Sequence, residues 1–85
     1  MYQIKFTPTA KKSIKQIDKK YHSAFAKAID RLSVDPTTGI PLTGKLKGFW
    51  KLRFSRYRII YLMKKRQLII VILDVGHRKE IYRKI

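Results

Sequence analysis

Trp50-Lys51-Leu52-Arg53-Phe54-Ser55-Arg56-Tyr57-Arg58-Ile59-Ile60-Tyr61 is the stretch that decides how this chain folds. A strand sends successive side chains to opposite faces. Trp50, Leu52 and Phe54 therefore share one face, and Lys51 and Arg53 share the other. Past a turn at Ser55-Arg56, Tyr57, Ile59 and Tyr61 again share a face, while Arg56 and Arg58 begin the opposite one. The pattern predicts a hairpin with one aromatic, core-facing side and one cationic side. Such a cationic side suits a phosphate chain; it is equally what a solvated sheet face looks like.

The rest of the chain supplies what the hairpin packs against. Tyr2, Ile4 and Phe6 alternate with Gln3 and Lys5, a first strand. Thr7-Pro8 has the chemistry of a helix start, a side-chain cap followed by the residue best suited to the first helical position. Ala10, Ile14, Ile17 and Tyr21 then recur at helical spacing, with lysines mostly on the other faces. A break near residues 18–22 leads to a second helix with the stripe Phe25, Ala28, Ile29, Leu32. Pro36 ends that helix near Val34, because a residue before proline avoids helical dihedrals. Residues 35–44, with Pro36, Gly39, Pro41 and Gly44, are read as a loop. After the hairpin, Lys64-Lys65-Arg66-Gln67 makes a turn. Leu68 to Leu73 is an apolar, β-branched run expected to be a strand buried on both faces and closed by Asp74.

The expected architecture is α+β. An N-terminal strand and a two-helix hairpin pack on an antiparallel sheet of about four strands, in a single domain over residues 1–85. A chain of 85 residues buries only ~60% of its unfolded surface, so the core is modest. It has no cysteine to reinforce it. Its apolar fraction of 45% still argues for a folded domain over a disordered one.

Charge points to the partner. Lys and Arg number 21 against 5 Asp and Glu, a formal net charge of +16. Self-repulsion at that density opposes folding, so a polyanion is the natural partner, and nucleic acid is the first to consider. The longest apolar run is far short of the ~18 residues of a membrane span, and Met1–Phe6 lacks a signal-peptide core, so a cytoplasmic protein without membrane contact is expected. Neither cofactor nor metal is expected: there is no thiolate, His22 and His77 lie far apart, and no glycine loop of the nucleotide-binding type occurs. Ser55, His77 and Asp74 contain the members of a hydrolytic triad, but no nucleophile elbow accompanies them. Past the apolar run, Gly76-His77-Arg78 sits where a rigid strand would hold side chains well, and Tyr82 follows Arg78 by one helical turn. Arginine can fork onto a phosphate, and tyrosine can stack on a base or donate a proton.

Taken together, Leu46-Lys47-Gly48-Phe49-Trp50-Lys51-Leu52-Arg53, Tyr57-Arg58-Ile59-Ile60-Tyr61, Val75-Gly76-His77-Arg78 and Glu80-Ile81-Tyr82 resemble the RelE/ParE toxin superfamily. The resemblance implies a bacterial type II toxin neutralised by a cognate acidic antitoxin. For the RelE branch it implies a metal-independent endoribonuclease that cleaves mRNA in the ribosomal A site. Any contact with operator DNA would go through the antitoxin complex. In that likeness Arg58 steadies the scissile phosphate, Arg78 contacts the transition state or gives a proton, and Tyr82 stacks on the substrate base. Lys51 and Arg53 are the paired basic positions of the preceding strand, and Lys47, Arg53 and Arg56 are expected to bind substrate. Arg53 departs from the lysine usual in RelE and cannot serve as a base, because arginine stays protonated. Ser55-Arg56 departs from a common Gly-Asp and suggests a looser turn. The sequence also stops at Ile85, without the longer C-terminal helix of some members. The base is open among Lys51, Glu80 and His77, the acid between His77 and Arg78. A ParE-like inhibitor of DNA gyrase without nuclease activity, or a non-catalytic nucleic-acid-binding module, are the alternatives.

Overall fold

The computed structural model describes residues 1–77. Strand β1 (Gln3–Phe6) leads into α1 (Pro8–Ile14) and α2 (His22–Val34), followed by β2 (Ile40–Pro41), β3 (Phe49–Phe54), β4 (Tyr57–Lys64) and β5 (Ile69–Gly76). The sheet has five strands in the order β1-β5-β4-β3-β2. Strands β2 to β5 form an antiparallel run, but β1 joins β5 in parallel, with Ile4 opposite Ile70 and Phe6 opposite Ile72. The α+β expectation holds, while the four-stranded antiparallel sheet becomes a five-stranded mixed one. The reason is the route between them: β5 is reached from β1 only through both helices and strands β2 to β4, a long connection that permits parallel pairing where a tight turn does not.

The extra strand comes from the segment expected to be pure loop. Ile40 and Pro41 pair with Lys51 and Trp50. The approach to β2 is built from local bonds. Asp35 accepts from the Thr37 backbone N–H at 3.0 Å and from the Thr37 hydroxyl, closing a tight turn over Pro36–Thr38. Those two bonds, the hydroxyl first, hold the Asp35 carboxyl below its ordinary pKa.

The first helix begins as expected: Thr7 accepts from the Ala10 N–H at 3.0 Å and Pro8 takes the first turn. It ends earlier than the apolar spacing implies, at Ile14. Gln16 and Ile17 donate to carbonyls three residues back, which tightens the chain into turns. Asp18 then caps a short turn over Lys19–Tyr21. Ile17 and Tyr21 reach the core all the same. The second helix ends at Val34, where Pro36 requires it.

The core lies between the helices and one sheet face. Ala28 and Leu32 from α2 and Ala10 from α1 meet Leu52, Phe54, Tyr57, Ile59, Tyr61, Ile70 and Ile72. Phe25 packs on Phe54 with ring centroids 5.6 Å apart, and Tyr21 meets Tyr57 edge-on at 5.3 Å. Within the apolar run only Ile70 and Ile72 are fully buried; Ile69, Val71 and Leu73 on the other face are half-buried, so the run is not buried on both sides. Nor does Asp74 close the strand, which continues to Gly76. A register shift opposite Ile60 and Tyr61 makes a bulge, and Asp74 and Val75 are both buried in succession. A bulge re-aims side chains in this way. It lets Asp74 accept from the Ser13 hydroxyl of α1 at 2.5 Å and from the Val75 N–H at 2.8 Å. Among the described residues no helix is long and apolar enough to cross a membrane.

Candidate functional site

The hairpin of β3 and β4 sorts its side chains as the alternation predicts. Leu52 and Phe54 are buried on the helix side, Arg53 is exposed, and Lys51 and Arg58 are half-buried on the opposite side. The pairing register sets Arg53 directly across from Arg58. Neighbouring strands lie about 4.8 Å apart, so the two guanidinium stems rise side by side. Lys51 stands two residues along β3 on the same face, opposite Ile60. The three cations line one cleft of about 290 Å³, together with Leu52 and with Thr38, Gly39 and Ile40 from the segment entering β2. Among the described residues its lining holds no carboxylate.

That concentration is unfavourable for folding. Like charges directly opposite in a sheet repel. A cleft of this kind gains energy when an anion enters it, and a phosphodiester or a phosphorane is a fitting occupant.

The hairpin turn is tighter than expected. Phe54 pairs with Tyr57, leaving Ser55 and Arg56 as a two-residue turn. Ser55 takes a positive φ of 52° and Arg56 does not, the pattern of a II′ turn. Serine replaces the usual glycine there at some conformational cost. Arg56 is carried to the helix side, its guanidinium 5.8 Å from the Tyr21 ring centroid, and it does not line the cleft. Lys47 is exposed at the end of the turn over Gly44–Leu46, also outside the cleft. His77 is exposed, packs on the Tyr57 ring at 5.3 Å, and lines a separate cleft with Ser13, Gln16 and Gly76. Arg78, Glu80 and Tyr82 lie outside the described residues. Of the candidates within them, Lys51, Arg53 and Arg58 come together, and Lys47, Arg56 and His77 do not.

One wall of the cleft was not anticipated. Tyr61 is fully buried, stacks on Trp50 with centroids 6.3 Å apart, and donates its hydroxyl to the Pro36 carbonyl at 2.6 Å. Burial pushes its pKa up to about 12; a backbone bond from Gly39 opposes the shift and the Asp35 charge adds to it. Gly39 lies so close that an added Cβ would stand 2.3 Å from the Tyr61 hydroxyl oxygen and 2.5 Å from the Lys51 carbonyl oxygen. Tyr61 thus clamps the chain before β2 against β3. The signal in the sequence was Gly39 between Pro36 and Pro41, a small residue where two backbones approach.

Comparison with known proteins gives this geometry a family. The family model described as the ParE toxin of type II toxin–antitoxin systems, parDE, matches residues 4–82. The chain belongs to the RelE/ParE family of type II toxins. The toxin is 33% identical over 85 residues to Toxin RelG of Mycobacterium tuberculosis, covering 98% of each chain. Its fold superposes with a TM-score of 0.82 on a chain of the toxin–antitoxin complex RelBE2 of Mycobacterium tuberculosis, at 32% identity, over 91% of the toxin and 98% of that chain. The isolated Escherichia coli RelE toxin shares the fold with a TM-score of 0.79 at 20% identity, over 99% of the toxin and 94% of that chain.

Proposed function

We propose that the toxin is a ribosome-dependent mRNA endonuclease that cleaves by attack of a 2′-hydroxyl on the adjacent phosphate. The observation that carries this reading is the convergence of Lys51, Arg53 and Arg58 on one cleft. In the reaction a bond forms between O2′ and phosphorus as the bond to the leaving 5′-oxygen breaks. Negative charge grows on the non-bridging oxygens, and Arg53 and Arg58 face that charge as fixed cations. The 2′-hydroxyl proton needs an acceptor. Arginine cannot serve, so Lys51 is the base within the cleft. Arg78 and Tyr82 take the roles of leaving-group contact and base-stacking residue that the family likeness gives them. With so few acid–base groups of its own, the toxin relies on the ribosome to align the substrate.

The cationic cleft also suits an acidic cognate antitoxin, whose binding would compete with RNA for the same charges. The Mycobacterium tuberculosis relative was solved in a toxin–antitoxin complex. Co-expression with the acidic protein encoded beside it yields a complex that is tight at low salt; failure to associate there counts against this partner.

A second reading, a gyrase inhibitor without nuclease activity, is favoured by the ParE description of the matching family model. Cell-free translation with primer extension on the message separates the two. Under the first reading the wild type gives codon-phased cuts, and Arg58→Ala reduces them by about 10²–10³-fold. Intact message together with loss of gyrase-dependent supercoiling selects the second.

A further inference from the structure

We infer that the wall formed by Thr38, Gly39 and Ile40 is the base-reading side of the cleft, with Ile40 as the apolar surface on which one nucleobase packs and Thr38 as a hydroxyl facing its edge. The inference deepens the proposed nuclease reading and rests on it for the identity of the substrate.

Ile40 is 60% exposed, although the same strand pairing that fixes it also sets it beside the site. It pairs with Lys51, and paired residues on adjacent strands project from the same face. Ile40 therefore stands next to Lys51 on the face that carries Arg53 and Arg58, and all four line the cleft. Of the exposed large apolar residues described (Met1, Val34, Ile40 and Leu68), Ile40 is the one that lines it. A scattered surface isoleucine needs no explanation. An edge strand, however, ordinarily carries charge or proline to deter pairing. Pro41 meets that need, and Ile40 does the reverse, presenting an apolar side chain at the rim of a cationic pocket.

A nucleotide offers two chemistries about one sugar apart: a phosphate and a flat apolar ring with polar edges. The cleft offers the matching pair. Its cations lie on β3 and β4, its apolar rim on β2, and the Thr38 hydroxyl can donate to or accept from any base edge. Its volume of about 290 Å³ is at the small end of ligand sites, enough for one nucleotide unit and not for a stacked run. The wall is held in place rather than left loose. The Tyr61 hydroxyl bonds to Pro36, and Gly39 is wedged against the Lys51 carbonyl. Tyr61 is thus a positioning residue that sets the distance between base wall and cations.

The test is a titration of full-length toxin, isotope-labelled at isoleucine methyl groups, with a 2′-O-methylated RNA trinucleotide that cannot be cleaved. Inorganic phosphate is the control. A base packed on Ile40 imposes a saturable ring-current shift on its methyl resonances, which phosphate does not reproduce. Ile40→Ser weakens trinucleotide affinity about tenfold and Ile40→Leu restores most of it, since apolar contacts of this size discriminate by 10–200-fold. Phosphate affinity is unchanged in both. Thr38→Val changes the order of preference among trinucleotides of different base. If the Ile40 methyls do not shift, whether the trinucleotide fails to bind or binds through the cations alone, the assignment is overturned. Primer extension with wild type and Arg58→Ala judges the nuclease reading separately.

Discussion

Arg53 and Arg58 occupy opposed positions on adjacent strands, and that placement makes a prediction of its own. Neutralising either residue relieves repulsion. Arg53→Gln and Arg58→Gln are each expected to raise the unfolding midpoint, equivalent to roughly 0.2–1 kcal/mol, while the proposed cleavage activity falls. Thermal unfolding followed by circular dichroism, beside the translation assay, checks both halves; equal losses of stability and activity would mean that Arg58 is structural. Gly39 predicts the opposite sign. Gly39→Ala forces its Cβ into the Tyr61 hydroxyl and a backbone carbonyl, at a cost of roughly 1–3 kcal/mol in a urea melt. Tyr61 adds a pH dependence. Its pKa of about 12 lies above the ordinary 10, so the folded state holds the proton more tightly than the unfolded one. The resulting stability is fully present below pH 10 and is lost as pH rises from 10 through 12, on the order of 2–3 kcal/mol. Tyr61→Phe removes this alkaline step in unfolding curves but leaves the Pro36 carbonyl without its donor, costing roughly 1–3 kcal/mol at neutral pH.

Single elements explain what could and could not be read in advance. The hairpin was legible because a period of two runs through Trp50–Phe54 and resumes over Tyr57–Tyr61, and a one-residue slip would bury the cations. The stripe of α2 and its stop at Val34 were legible for similar local reasons. The end of α1 was not, because Ile17 and Tyr21 are spaced as a helix would need yet reach the core through turns. Strand β2 escaped notice since two residues, one of them a proline, have no periodicity; only their partners on β3 make them a strand. The bulge at Asp74 likewise depends on a register that no local pattern encodes. For the site, the three cations followed from alternation, whereas the wall of Thr38, Gly39 and Ile40 depends on where β2 docks. The turn offers a check on this view. Ser55 holds φ at 52°, so Ser55→Gly should stabilise the hairpin by about 1 kcal/mol, read as a higher denaturant midpoint. An unchanged midpoint would mean that the serine carries no strain.

At the scale of the molecule, +16 on 85 residues makes the folded state sensitive to ionic strength. Screening lengths fall from about 30 Å at 0.01 M salt to about 8 Å at 0.15 M, so the unfolding temperature is expected to rise with salt over that range. The proposed RNA affinity is expected to move the other way, and Arg58→Ala should flatten the log–log salt dependence of single-strand binding by about 0.7. The parallel seam between β1 and β5 has a consequence in time. Thr7 and Leu73, bonded where that seam ends, are 66 positions apart. A bacterial ribosome adds about 5–20 residues per second, so roughly 3–13 s separate the emergence of one side of the seam from the other. Throughout that interval β1 has no partner and the sheet is missing the strand between it and the cationic hairpin. A nascent copy therefore cannot close this sheet until β5 has been made, however early its helices and hairpin form.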